Sequence, residues 1–389
     1  SLHSTYCRAW LPRARMHLFH ALRLDSHVAL RKTRALLCDP TSTVLPYVRH
    51  FHLLEGRSGR LHTRPPWLDN TLPCMRFQDL TALRCLELSN VWWQALSRES
   101  RACLRAACQP IRCLILWDLQ LTDALRPVFD IISAAPLLEH LEVLSAGYPR
   151  KDDRLTIASL RSLPSHKWRM PDTLSSLDIE SELSGFFVAL GHFTPELHVR
   201  TLSVKFVDRE HASNVAAFVQ SCGSSPMEHV NVSFADSPDP DSAPSAADIF
   251  CNSGGFSKNT SLCTLQLDVN AVSVVPILRS ISSTTMKKGL FGITPQTLCM
   301  LDLDGLASLL RTGPLESTRI EIIGFESFDA EIRPLIDARD TLYRRLDSLR
   351  AEGRLEFTRA GGYSMEVSAP RGFYASFALR FPDLSLPYK

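Results

Sequence analysis

One spaced pattern constrains the fold of this chain more than any other feature of its sequence. It consists of three apolar residues, with two residues between the first and the second and one residue between the second and the third. Eight triplets match: Val48-Phe51-Leu53, Leu83-Leu86-Leu88, Ile111-Leu114-Leu116, Leu138-Leu141-Val143, Leu174-Leu177-Ile179, Val199-Leu202-Val204, Met227-Val230-Val232 and Leu262-Leu265-Leu267. They begin 35, 28, 27, 36, 25, 28 and 35 residues apart, which indicates stacked units with occasional longer loops.

The residues between the triplets complete each unit. Because apolar residues make up 45% of the chain, a single triplet is uninformative, and the recurring interval carries the weight. Apolar residues recur at helical spacing between the triplets, over residues 122–132, with Thr122 as the N-cap, and over 184–190, 212–219 and 272–281. A short strand followed by a helix is typical of the leucine-rich repeat, whose stacked units share one core. We therefore predict an α/β solenoid of about ten irregular leucine-rich repeats, with parallel strands on the concave face and helices on the convex face.

The pattern continues more weakly towards the C-terminus. We predict strands at residues 290–293, 320–323 and 355–357, and helices over 304–310 and 342–349. Long loops are predicted over 56–73, 145–154 and 236–244, which are rich in Gly, Pro, Ser or charged residues. The predicted organisation is a helical N-terminal segment over 1–35, a solenoid over 45–358 and a tail over 359–389.

Composition argues against several classes of partner. The 43 basic and 41 acidic residues nearly cancel, so nothing in the charge balance calls for nucleic acid or an anionic membrane. Eleven cysteines without a Cys-x-x-Cys pair suit free thiols in a reducing compartment. No apolar run approaches the length of a membrane span. We expect an intracellular protein, cytoplasmic and/or nuclear, that is monomeric outside any complex.

The sequence offers no set of catalytic residues. It contains no Gly-x-Ser-x-Gly, His-Glu-x-x-His, Gly-x-Gly-x-x-Gly or phosphate-binding loop. His50 and His52 share one side of a strand, but a metal site would need a third ligand that the sequence does not identify. Asp302 and Asp304 are explained by a helix N-terminus. We therefore predict a non-enzymatic protein with neither metal nor cofactor.

The strand residues that alternate with the triplets form a candidate recognition surface. Side chains alternate along a strand, so these residues lie on the face opposite the core, where carboxylates outnumber Lys and Arg by five to one. We hypothesise that this face binds a basic peptide or protein surface, with Trp117 as the aromatic anchor. An ordinary solvated strand face remains the alternative. The predicted partner-binding residues are Glu87, Ile115, Trp117, Glu142, Leu144, Asp178 and Glu180.

The N-terminus resembles a known family. Cys7-Arg-Ala-Trp-Leu-Pro-Arg-Ala-Arg15, Leu18-Phe19 and Leu22-Arg-Leu24 resemble the second half of the F-box in fungal, basidiomycete-like F-box/leucine-rich-repeat proteins. The resemblance is incomplete, since the opening Leu-Pro-x-Glu of an F-box is not matched before Cys7.

The resemblance implies a role in ubiquitin conjugation. An F-box docks a Skp-family adaptor of a cullin ubiquitin ligase, while the repeats hold a protein substrate. Carried over to this chain, Cys7, Trp10, Leu18 and Phe19 would lie in the adaptor-binding helices. The alternative is a helix that only covers the end of the first repeat, in a free-standing leucine-rich-repeat scaffold with no ubiquitin role.

Overall fold

In the part of the chain that the structure describes, twelve parallel strands form a single sheet in which each strand pairs with its neighbours in the chain. The computed structural model describes residues 2–39, 41–55, 67–117, 126–144, 170–180, 184–193, 197–222, 226–235, 244–269, 271–293, 298, 300–325 and 332–360. The strands are β1 (Ala21–Leu24), β2 (His50–Leu54), β3 (Cys85–Ser89), β4 (Cys113–Trp117), β5 (His140–Leu144), β6 (Ser176–Glu180), β7 (Thr201–Val207), β8 (His229–Phe234), β9 (Thr264–Asp268), β10 (Lys288–Ile293), β11 (Arg319–Phe325) and β12 (Leu355–Ala360). The predicted α/β architecture is confirmed at this level: an open, all-parallel sheet with helices between its strands.

Helices separate most of the strands. They are α1 (Leu2–Phe19), α2 (His27–Cys38), α3 (Arg98–Ala107), α4 (Arg126–Ile132), α5 (Ser184–Phe193), α6 (Ala212–Ser221), α7 (Ala246–Asn252), α8 (Ala271–Arg279), α9 (Leu303–Arg311), α10 (Ile332–Arg345) and α11 (Asp347–Ala351). Single turns of 3-10 helix lie at Leu45–Tyr47, Leu72–Cys74, Phe77–Asp79, Trp93–Ala95 and Gly313–Leu315. The helices predicted over 184–190, 212–219, 272–281, 304–310 and 342–349 are therefore confirmed, the last as two helices. Asp302 accepts the amide of Gly305 at 2.9 Å, as expected of an N-cap.

The triplets form the core of the sheet in register. Their middle residues are Cα partners across neighbouring strands, in the order Phe51, Leu86, Leu114, Leu141, Leu177, Leu202, Val230 and Leu265. Every residue of the eight triplets is at most 2% exposed. The eight predicted strands are thus confirmed, and the same face of each strand is buried.

The helices pack against this face and against one another. Helices α5 to α8 contact their neighbours in chain order, and α9 contacts α8. Ring pairs join adjacent helices: Phe129 stacks on Phe186 with centroids 5.2 Å apart, and Phe187 lies 5.2 Å from Phe218. Strand and helix residues together form one continuous core along the sheet. Each unit therefore completes the burial of the unit beside it.

Backbone hydrogen bonds fix the start of each strand relative to the next. The carbonyl of the residue before a strand accepts two successive amides of the following unit; Arg49 O, for example, accepts from Arg84 at 2.8 Å and Cys85 at 2.9 Å. The arrangement recurs from His20 O to Cys263 O. Hydroxyls add further bonds between units, as where Ser283 Oγ donates to Leu262 O at 2.8 Å. These bonds hold the parallel register that aligns the core residues.

The segment predicted to be helical over residues 1–35 contains a strand. Helix α1 ends at Phe19, and Ala21–Leu24 then pairs with β2, with Leu24 fully buried opposite Leu53. The helical prediction is wrong for these four residues, because Leu22 and Leu24 alternate like the core residues of the other strands. Of the predicted loops, residues 56–66, 145–154 and 236–243 lie outside the described residues, as do Thr122 and the tail from 361 onward.

Candidate functional site on the polar face of the sheet

The strand residues that alternate with the core define a second face, called here the polar face. Because the strands are parallel and in register, its side chains form rows about 4.8 Å apart from strand to strand. The first row contains His50, Cys85, Cys113, His140, Ser176 and Thr201, and the second His52, Glu87, Ile115, Glu142, Asp178 and Ser203. The third contains Ser89, Trp117 and Leu144, and, one strand pair further along, Glu180 opposite Lys205. Six of the seven predicted partner-binding residues, from Glu87 to Asp178, thus lie on this face, and the backbone of the seventh, Glu180, pairs with that of Lys205.

Glu87 is the centre of a buried polar cluster. Its carboxylate lies 3.3 Å from Nε2 of both His50 and His52, and only 4% of the residue is exposed. His52 Nε2 also lies 3.0 Å from Ser89 Oγ. Burial lowers the pKa of His52 to about 4, against the opposing attraction of Glu87, so His52 is neutral at pH 7. Glu87 is therefore held by groups of this chain rather than presented freely to a partner.

The next carboxylates along the face are also engaged. Lys205 Nζ lies 3.3 Å from the Asp178 carboxylate, which is almost fully buried. His140 Nε2 lies 3.7 Å from Glu142, and its Nδ1 lies 2.8 Å from Ser176 Oγ. These partners reduce the acidic character expected from the sequence. Lys205 and Ser176 lie on strands next to those of the residues they contact and are distant from them along the chain, whereas His140 and Glu142 share one strand.

Two of the three apolar residues among the predicted partner-binding residues are buried. Ile115 is 0% exposed and forms a small cluster with Cys85 and Cys113, separate from the main core. Leu144 is buried as well, whereas Trp117 is half-buried at the end of β4. Ile115 and Leu144 are therefore not accessible for the predicted contact with a partner, and of the three only Trp117 keeps substantial accessible surface.

One further carboxyl on this face was not among the predicted site residues. Asp268 ends β9 opposite Ser233 of β8 and Gly292 of β10. Burial raises its pKa to about 6, so its ionised form is disfavoured there. In the sequence it ends an ordinary apolar–polar alternation, and nothing in that local pattern marks it as buried.

The four predicted adaptor-binding residues all lie in α1, whereas Leu22–Leu24, which also resemble the F-box, lie in β1. Cys7 and Trp10 occupy its middle, and Leu18 and Phe19 its last turn. Leu18 is 71% exposed and Leu11, two turns earlier, is 45% exposed, whereas Phe19 is half-buried. The helix packs on the short turn Leu45–Tyr47 near the β1 end of the sheet. It therefore presents two accessible leucines beside the first strand.

A residue with a strained backbone, Phe206, lies in β7 near the middle of the sheet. Phe206 has a backbone φ of +57° in a bulge of β7 between Val204 and Val207, and it is 38% exposed. A left-handed conformation is unfavourable for a residue with a Cβ atom. The sequence shows only two successive residues, Lys205 and Phe206, within an apolar strand, which does not reveal a bulge.

The described contacts of the polar face are hydrogen bonds and ion pairs. The sequence left His50 and His52 without a third metal ligand, and the structure puts Glu87 next to both. Even so, no three His, Cys, Asp or Glu side chains in the described ranges are arranged to hold a metal ion. Among the described helices, none combines the length and apolar character that a membrane span needs.

Comparison with known proteins adds no identification. No protein-family model matches this sequence, and no curated protein matches it.

Proposed function

We propose that this chain is an F-box/leucine-rich-repeat protein of the fungal, basidiomycete-like type and the substrate receptor of a Skp/cullin-type ubiquitin ligase. In this proposal the strand–helix units are irregular leucine-rich repeats, which recognise a protein partner, and the segment around α1 docks a Skp-family adaptor. The role is non-enzymatic and belongs to the ubiquitin-like conjugation pathway. It requires no cofactor, nucleic acid or membrane.

The two accessible leucines of α1 support this proposal most directly. Leu11 and Leu18 are seven residues apart, so two helical turns bring them to the same side of the helix. At 45% and 71% exposure they leave apolar surface uncovered. Apolar residues at this spacing are typical of helices that dock into a groove of a partner protein.

Binding to a purified Skp-family adaptor tests the proposal. We expect the wild-type chain to co-purify with the adaptor and Leu18→Arg to weaken binding at least about tenfold, because a charge would be forced into an apolar contact. Leu137→Arg is the matched control, since Leu137 is also exposed, at 49%, but lies outside α1. Failure of the wild-type chain to bind, or equal binding by Leu18→Arg, would exclude adaptor docking through this helix.

The alternative is a free-standing leucine-rich-repeat scaffold without a ubiquitin role. It is supported by β1, which lies within the F-box-like segment and contributes Leu24 to the core of the sheet. In this reading α1 and β1 cover the end of the stack, as repeat proteins require of their terminal units. Normal partner binding by a chain that ignores the adaptor would favour the scaffold.

Partner recognition through the polar face needs a separate test. Trp117 and Glu142 lie on adjacent strands, and neither is fully buried. For a basic partner recovered by cross-linking to the wild-type chain, we expect Trp117→Ala and Glu142→Lys to reduce affinity severalfold. Glu228→Lys is the control, because Glu228 precedes β8 outside the face and its side chain is 41% exposed. Unchanged affinity in both face variants would end this hypothesis.

A further inference from the structure

Two cysteines of the polar face lie directly opposite each other. Cys85 of β3 and Cys113 of β4 are Cα partners in the parallel pair. Both are free thiols here. Neighbouring strands are about 4.8 Å apart, and disulfide-linked residues have Cα atoms roughly 4.4–6.8 Å apart. The backbone of this pair is thus already within disulfide distance.

We propose that Cys85 and Cys113 form an oxidative modification site, at which a peroxide joins β3 to β4 through a disulfide bond. One cysteine sulfur attacks hydrogen peroxide, breaks the O–O bond and becomes a sulfenic acid, releasing one water. The other sulfur then displaces the sulfenic hydroxyl, which leaves as a second water. Two thiols and one peroxide give one disulfide and two waters, with two electrons passing from sulfur to oxygen.

The surroundings of the pair determine which oxidant can act. Cys85 is 2% exposed and Cys113 is 5% exposed, and Ile115 packs against them. A small peroxide can reach such a site during brief opening, whereas a bulky disulfide reagent meets a steric barrier. Cys113 and burial raise the pKa of the Cys85 thiol, with Glu87 and Glu142 acting in the same direction. The reaction is therefore slow at neutral pH and faster at higher pH, because the thiolate is the reactive form.

A competing pair is present on the other side of the same units. Cys74, at the end of a 3-10 turn, is exposed, and Cys103 of α3 is half-buried. Burial, then Glu99 and then Cys74 raise the pKa of the Cys103 thiol, so the two thiols are close to each other. Exposure favours Cys74 as the first thiol to be oxidised. Strand pairing favours a disulfide between Cys85 and Cys113, because of the two pairs only this one is held face to face by neighbouring strands.

Peptide mapping distinguishes the two pairs. Arg84 and Arg112 directly precede the two cysteines, so trypsin releases them on separate peptides that begin at Cys85 and Cys113. The full chain is treated with hydrogen peroxide at pH 7 and pH 8.5, its remaining thiols are alkylated, and it is digested without reduction. We expect the two peptides to appear linked, with more product at pH 8.5, and to separate on reduction with dithiothreitol.

Variants complete the experiment. Cys74→Ser should retain the linked product, whereas Cys85→Ser and Cys113→Ser should each abolish it while keeping the circular dichroism of the wild type. Three results would overturn the proposal. Cys85 and Cys113 of the wild type could be recovered as alkylated thiols after peroxide treatment, each could become a sulfinic acid without a link, or each could link only to other cysteines.

Discussion

At the scale of single residues, burial of polar groups distinguishes this chain from a simple apolar stack. Glu87, Asp178 and His140 are buried on the polar face, where each one contacts a polar side chain of a neighbouring strand. Burying an ionisable group is unfavourable unless it is paired or neutral. The polar face therefore contains polar pairs that form across neighbouring strands.

His52 provides a test of that network through pH. Its folded-state pKa, about 4, lies below the usual 6.5, so the unfolded chain binds a proton between these values and the folded chain does not. Protonation thus favours unfolding as the pH falls from about 6.5 to 4. Besides burial, which is the largest cause, Glu87 and Asp25 favour protonation of His52, and Arg23 and His50 oppose it.

We expect the stability of wild type relative to His52→Gln to fall by up to about 3 kcal/mol between pH 7 and pH 4. Urea unfolding at intermediate pH values measures this difference, in which the contribution of other groups such as Asp268 cancels. Parallel stability curves for the two proteins would contradict the expectation.

At the scale of elements, strand β7 shows how one extra residue alters a regular unit. Its pairing with β8 is in register up to Val204 and Val232 and shifts before Val207 and Phe234. The extra residue places Phe206 in a left-handed conformation at the carboxyl end of the strand. Bulges of this kind re-aim side chains near functional surfaces. The structure therefore keeps an aromatic residue accessible at the expense of backbone strain.

Two substitutions at Phe206 separate the effect of backbone strain on stability from that of the aromatic ring. Phe206→Gly removes both the ring and the Cβ atom, whereas Phe206→Ala removes only the ring. Because the left-handed conformation is unfavourable by roughly 1–2 kcal/mol for a residue with a Cβ atom, we expect the glycine variant to be more stable than the alanine variant by about 1 kcal/mol. Chemical denaturation measures the difference. An alanine variant as stable as the glycine variant would mean that the bulge is unstrained.

At the scale of the whole molecule, stability is distributed over successive strand–helix units, each of which contacts the next. Each strand pairs only with its neighbours in the chain, and the described helices contact mainly the adjacent units. In such a stack, stability is approximately a sum of unit and nearest-neighbour contributions. Damage at one end should therefore remain local rather than spread through a shared centre.

Hydrogen exchange tests this locality. Ile322 of β11 is fully buried, so Ile322→Ala should remove about 2–5 kcal/mol of local stability. We expect amide exchange in β10 to β12 to accelerate more than tenfold while that in β3 to β5 stays unchanged. Leu114→Ala in β4 is the mirror experiment and should accelerate exchange in β3 to β5 only. Uniform acceleration by either variant would show instead that the sheet unfolds as one cooperative unit.

Much of the sheet could be predicted because its signals are local. Alternation within a strand and the return of a triplet after a fixed interval are properties of consecutive residues, and they identified the core positions from Val48 to Leu267. Residues at β10 were harder to identify, since the core position there is Gly289. A Cβ atom at this glycine would lie 2.9 Å from Ile320 of the next strand, so the neighbouring side chains already fill its space. The apolar pattern is therefore interrupted at Gly289 in the sequence, whereas in the folded sheet neighbouring apolar side chains fill that position.

By itself, the sequence determined the stacked strand–helix units, their order and the face of each strand that is buried. Only the tertiary structure decided that His50 and His52 meet Glu87, that Lys205 meets Asp178, that Ile115 is buried and that Leu24 belongs to the sheet. The physical reason is that periodicity is set along the chain, whereas pairing, burial and protonation depend on which residues of separate units become neighbours across the strands.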